Sequence, residues 1–181
     1  MGATETTGNF VRPGLGIELD AGARLARRYI PYVALELGAV PPGRRFDPAN
    51  TSARTSFLGF GFRLLSGDVD SVAFASDISF GRRTFSISSD GSTWSASGWE
   101  YFRLGLGVEV RVNDRFTVSP LVSFSEGSLT DTSGSVKFAP NQPDGMVGPP
   151  YSGTGGIPGF GQSNYFTVMV GCGAHVDLFG R

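Results

Sequence analysis

The chain has 181 residues and 15 basic against 16 acidic side chains, a formal charge of -1. That allows one domain with a proper core, and the balanced charge gives no pull toward nucleic acid. One cysteine, Cys172, and one histidine, His175, exclude an internal disulfide, a multi-cysteine metal site and any constellation needing two imidazoles, so neither a metal nor a cofactor is expected.

The dominant pattern is alternation at period two, which predicts strands. In residues 15–25 the apolar row is Leu15, Ile17, Leu19, Ala21, Ala23 and Leu25, opposite Gly16, Glu18, Asp20, Gly22 and Arg24. A second segment sets Val33, Leu35, Leu37 and Ala39 against Tyr32, Ala34, Glu36 and Gly38. A third sets Leu58, Phe60, Phe62 and Leu64 against Gly59, Gly61 and Arg63. In the fourth, Val72, Phe74, Ile78 and Phe80 oppose Ala73, Ala75, Asp77, Ser79 and Gly81. The fifth is the cleanest, with Phe102, Leu104, Leu106, Val108, Val110 and Val112 against Arg103, Gly105, Gly107, Glu109 and Arg111. Phe116, Val118, Val122 and Phe124 mark the sixth, with Pro120 in the row. In the seventh, Phe166, Val168, Val170, Cys172, Ala174, Val176 and Leu178 face away from Thr167, Gly171, Gly173, His175 and Asp177.

The links between these segments alternate in length. Those near Arg27 to Tyr29, at Gly67 to Asp70 and at Asn113-Asp114 are hairpin-sized, whereas Pro41 to Arg54, Ser88 to Gly98 and Gly127 to Ser163 are long. Tight turns on one side and long loops on the other are the asymmetry of a barrel that crosses a bilayer with chemically different sides. No run of about 20 apolar residues offers a transmembrane helix, and residues 1–10 (MGATETTGNF) lack the basic and apolar regions of a secretory signal. The expected fold is therefore all-β, an antiparallel up-and-down transmembrane β-barrel with seven strands of eight. Barrels of this kind hold both termini on the short-turn side and an even strand number. Seven strands put the N-terminus on the long-loop side, so a signal peptide and a first ascending strand are expected upstream. Residues 1–10 then read as a disordered remnant of a first outer loop and residues 11–181 as the barrel domain, with a long outer loop over 127–163.

Which face meets lipid follows from composition. Glycine on a water-facing strand gains nothing, whereas in a narrow lumen it makes room for larger neighbours. The same row carries Glu18, Asp20, Glu36, Asp77, Glu109 and Asp177 against Arg24, Arg63, Arg103 and Arg111. Mutual neutralisation of these charges, with His175 among them, predicts a lumen charge network. Phe57, Phe85, Trp94, Trp99, Tyr101, Tyr165 and Phe166 toward the loops, and Tyr29, Tyr32, Phe116 and Phe179 toward the turns, read as interfacial girdles. The alternative is a soluble lipocalin-like carrier with the apolar rows inside, around a small hydrophobic ligand.

On this pattern the chain resembles the small eight-stranded outer-membrane β-barrels of bacteria, the group that includes the barrel domain of outer membrane protein A. The sharpest element is Gly173-Ala174-His175-Val176-Asp177-Leu178-Phe179, which is similar to the terminal assembly signal of such barrels in Gly173, Val176, Leu178 and the closing aromatic Phe179. The resemblance implies a bacterial outer-membrane location, a structural or interaction role, and as partners the lipid bilayer, the barrel-assembly machinery and an extracellular partner at the long loops. A narrow pore or a lipid-modifying barrel enzyme ranks below this. His175 and Asp177 share a face but no nucleophile is tied to them, and the His-x-Ser arrangement of barrel deacylases is absent, so no catalytic residue is assigned. The loop 127–163, rich in glycine and proline, cannot bury a core of its own and reads either as a binding surface or as a tolerated insertion.

Overall fold

The alternation is realised as a single curled sheet. The computed structural model describes residues 12–43, 45–68, 70–113, 116–138, 154–155, 157 and 163–176, with Thr154, Gly155, Ser163, Gly173, His175 and Val176 described by backbone alone. The strands are β1 (Leu15–Gly22), β2 (Tyr29–Val40), β3 (Thr51–Gly67), β4 (Val72–Ser89), β5 (Ser92–Arg111), β6 (Phe116–Gly134), β7 (Val136–Lys137), β8 (Thr154–Gly155) and β9 (Ser163–Val176). Seven of them form an antiparallel up-and-down sheet in the order β1-β2-β3-β4-β5-β6-β9, and β7 pairs with β8 in a separate ribbon. No helix occurs among the described residues.

The sheet curls but does not close into a barrel. β1 and β9 are its two edges, and as the first and last of seven alternating strands they run parallel to one another. Their Cα atoms come within 8 Å, yet no hydrogen-bonded register joins them. β1 is exposed on both faces except at Glu18, and Val170, Gly171 and Cys172 of β9 are exposed in succession.

Several strands outrun the expected segments, and the links shorten accordingly. β6 continues to Gly134, so the first eight residues of the expected loop 127–163 are strand. The expected long link from Ser88 to Gly98 is instead the two-residue turn Asp90-Gly91, with φ of 48° and 78°. Two successive positive φ values make this a hairpin turn whose twist matches the strands, and Asp-Gly is a sequence suited to it. The opposite ends turn as expected: Ala26 and Arg27, φ 46° and 65°, sit in a three-residue turn closed by reciprocal backbone bonds between Leu25 and Tyr29.

What the extensions bury explains why their pattern differs. Along the lower strands the apolar row points outward: Leu58, Phe60, Phe62 and Leu64 are exposed, while Arg63 and Leu65 on the other row are buried. Above Leu58 the arrangement reverses. Ser52, Arg54, Arg82 and Thr93 point outward, whereas Ala53, Ile87, Trp94, Ala96 and Leu129 point inward and pack with Phe46, Val136, Phe138 and Ile157. This upper cluster is an ordinary apolar core.

Candidate functional site

The inner face of the lower sheet carries ion pairs at three levels. The uppermost joins four strands. Arg83 of β4 donates from Nε to Glu100 Oε2 at 2.6 Å, and from Nη1 and Nη2 to the two oxygens of Glu36 at 2.9 and 3.2 Å. Arg103 of β5 donates from Nε to Glu100 Oε1 at 2.9 Å, from Nη2 to Glu36 Oε2 at 2.7 Å, and from Nη1 to Glu18 of β1. The Tyr165 hydroxyl adds a 3.0 Å bond to Glu100 from β9, and Phe57 lies beneath both guanidiniums, 4.2 Å from Arg103 and 5.5 Å from Arg83. Below this, Arg63 bridges Asp20 at 3.1 Å and Asp77 at 3.4 Å. Lower still, Arg24 meets Glu109 at 2.7 Å.

Local sequence explains these positions. Glu18 and Glu36 stand directly opposite one another in the β1–β2 register, a repulsive placement that Arg103 relieves by donating to both. Arg63 and Asp77 are cross-strand partners in the β3–β4 register. A bulge in β5 between Glu100 and Phe102 shifts the phase, so Glu100 and Arg103, three residues apart, share the inner face. Glycine creates the room. A Cβ at Gly61 would collide with the Tyr32 ring, one at Gly59 with the Phe57 ring, and one at Gly105 with the Asp77 carboxylate.

The charges are well removed from water. Glu36, Arg63, Arg83, Glu100, Arg103 and Glu109 are all buried. Desolvating such ions costs several kcal/mol each, about what good pairing returns, so the cluster fixes which strands meet more than it adds stability. In the upper group three carboxylates face two guanidiniums; Glu18, with 25% of its side chain exposed at the open edge, is the one nearest solvent.

Of the predicted lumen residues, Glu18, Asp20, Arg24, Glu36, Arg63, Asp77, Arg103 and Glu109 all make ion pairs on this face. Arg111 lies in the same row of β5, half-buried, opposite Thr117 in the register. The backbone of His175 pairs with Thr117, that of Gly173 with Ser119 and that of Val176 with Phe116; the side chains of His175 and Val176, and the whole of Asp177, Leu178 and Phe179, lie outside the described residues. The sequence reading omitted Arg83 and Glu100. Arg83 continues the row Asp77, Ser79, Gly81 by one more step; Glu100 falls on the wrong parity until the bulge is known.

The girdle reading needs correction. Phe57, Trp94 and Tyr32 are buried on the inner face, Phe85 packs against the upper core, and Tyr165 turns in toward Glu100. Trp99, Tyr101, Phe166, Tyr29 and Phe116 do face outward. The outward direction of the apolar rows also runs against a soluble carrier, which would bury them. Comparison with protein-family models, with curated proteins and with solved structures found no match to the chain.

Proposed function

We propose that this chain is an integral β-barrel protein of the bacterial outer-membrane type, whose role is structural or interaction-based and whose loops are presented on a lipid-embedded scaffold. The observation that carries the reading is the inside-out lower sheet, with buried ion pairs within and leucine, phenylalanine and valine without. Contiguous apolar exposure on a soluble monomer is a few hundred Å²; here it runs across all seven strands, from Leu15, 87% exposed, to Val170, 81% exposed. The apolar stretches, such as Phe116 to Phe124 and Val72 to Phe80, are about nine residues long, the length a tilted strand needs to cross hydrocarbon. One further antiparallel strand between β1 and β9 would complete an even-numbered barrel, and the assembly machinery would read the end of the chain. A partner at the loops is part of the proposal, and no catalytic group is assigned.

Reconstitution tests it. The protein is expected to co-float with phosphatidylcholine vesicles and to migrate differently on a gel before and after heating. A chain that stays soluble and monomeric without detergent, and remains at the bottom of the gradient, overturns the reading.

A further inference from the structure

On the outward side, where the aliphatic rows of β1 and β2 meet the hydroxyl-lined upper part of β3 to β5, the surface is not convex but grooved. The groove is about 940 Å³, within the usual range of ligand sites. Leu15, Ile17 and Leu37 line one part, while Ser86, Thr84 and Arg54 line the other. β1 and β2 end at this level, but β3 and β4 continue beyond it, which leaves the step.

Arg54 is the one charged residue of the lining. Among the described residues Arg24, Arg27, Arg63, Arg82, Arg83, Arg103 and Lys137 have carboxylate partners, whereas Arg12 and Arg28, exposed like Arg54, have none. Arg54 is exposed, and no carboxylate pairs with it among the described residues. Its register neighbours Ala39 and Ser86 offer no charge. A guanidinium with five donors beside hydroxyls and directly above exposed aliphatics is matched by a group that is anionic at one end and hydrocarbon at the other.

We propose that this groove seats an anionic, phosphate-bearing membrane lipid, its phosphate on Arg54 and the neighbouring hydroxyls and the start of its acyl chains along Leu15, Ile17 and Leu37. The inference rests on the membrane reading, and it places the groove where the outward surface changes from hydrocarbon-like to water-like, the depth of a headgroup. It further commits to a lipid, not a free phosphate ion, because Leu15, Ile17, Leu37 and Ala39 form an aliphatic wall beside the polar one.

Native mass spectrometry of the protein in a nonionic detergent, titrated with phosphatidylglycerol or phosphatidylcholine, reads the site. One phosphatidylglycerol is expected to stay bound preferentially, with affinity falling about tenfold in Arg54→Gln and recovering in large part in Arg54→Lys. Equal retention of the two lipids, or equal retention by wild type and Arg54→Gln, overturns the site. Displacement by millimolar inorganic phosphate that itself binds in the absence of lipid assigns the groove to an ion and overturns the lipid claim. Vesicle co-flotation of Arg54→Gln keeps the two readings apart: a variant that floats but has lost the preference supports the groove. A wild type that floats without any preference removes the groove alone, and a wild type that does not float removes both readings.

Discussion

Strands β3 to β6 pass through two regions built on opposite rules. In the upper region Trp94, Ile87 and Leu129 are inside and serines and threonines outside, as in any water-soluble sheet. In the lower region Arg83, Glu100, Arg103 and Glu36 are inside, and Phe60, Phe80 and Leu104 outside. The same strands stay paired across the change, with bulges close to it in β4–β5 and β5–β6, so pairing by itself does not dictate which row is apolar. One chain that solves the burial problem in both ways changes over near Leu58, Arg82 and Trp99, and on the proposed membrane reading that is where water gives way to hydrocarbon.

The largest effect that would break this contrast lies in the ion pairs. Arg103→Met leaves Glu36, Glu100 and Glu18 short of a partner and is expected to cost about 3–5 kcal/mol, read as a shift in the urea midpoint of the reconstituted protein. In the upper region a comparable loss, about 3–5 kcal/mol, needs removal of an apolar anchor, as in Trp94→Ala. The exposed pair Arg82–Asp131, with side chains 57% and 67% accessible, serves as the control; Arg82→Gln should change stability by about 0–1 kcal/mol. If Arg103→Met behaved like Arg82→Gln, the inner face would be open to water and the contrast false.

A second test uses the outward rows. Phe60→Arg places a charge in the middle of the apolar band and should cost about 2–4 kcal/mol in a bilayer, whereas Thr93→Arg, exposed on the same sheet above the boundary and opposite the uncharged Ser88, should be nearly neutral. Equilibrium unfolding from vesicles compares them. Equal costs at the two positions would put both in the same solvent.

How much of this was legible depends on the same division. Below the boundary the apolar row is long, unbroken and on one parity, so Leu58 to Leu64 or Phe102 to Val112 announces a strand and its polar row announces the ion pairs. Above it, apolar residues become sparse and turn inward: in β3 and β4 they move to the other parity, at Ala53, Phe57 and Ile87, whereas in β5 Trp94 and Ala96 keep the parity of Phe102 to Val112 and the bulge between Glu100 and Phe102 turns them inward. A reading that follows one apolar row stops where the row changes sides, which is why Ser88 to Gly98 reads as a loop despite its Asp-Gly turn. Arg83 was lost at that stop, and Glu100 was hidden by the bulge. The inward rings of Phe57 and Tyr32 were illegible for a different reason: only the fold shows that the Tyr32 ring covers its cross-strand partner Gly61 and the Phe57 ring covers Gly59 of its own strand.

Smaller effects belong to the turns at the lower end. Ala26 holds a left-handed φ of 46°, a region that costs a residue with a Cβ about 1 kcal/mol or more, so Ala26→Gly is expected to stabilise by about 0.5–1 kcal/mol after the looser unfolded chain is counted. Gly91→Ala at the upper turn, φ 78°, should do the reverse by a similar amount. Matching signs for the two substitutions would mean that one of these turns is not formed.

The smallest effect, and the one with a definite pH signature, is at Asp68. Its carboxylate accepts the Ser71 hydroxyl at 2.7 Å and the Asp70 backbone N–H at 3.0 Å, and these bonds, the first above all, hold its pKa below the ordinary 3.8. Because the bonds favour the charged form, the folded protein binds this proton less readily than the unfolded chain does. The contribution is therefore complete above the unfolded value and is lost as the pH falls through the folded one. Asp68→Asn removes that dependence, so wild type and variant should differ most at neutral pH and converge below the folded pKa. Carboxyl NMR of Asp68 gives the folded value directly; one at or above 3.8 would mean that the Gly67–Ser71 turn does not hold its hydrogen bonds in the membrane-reconstituted protein.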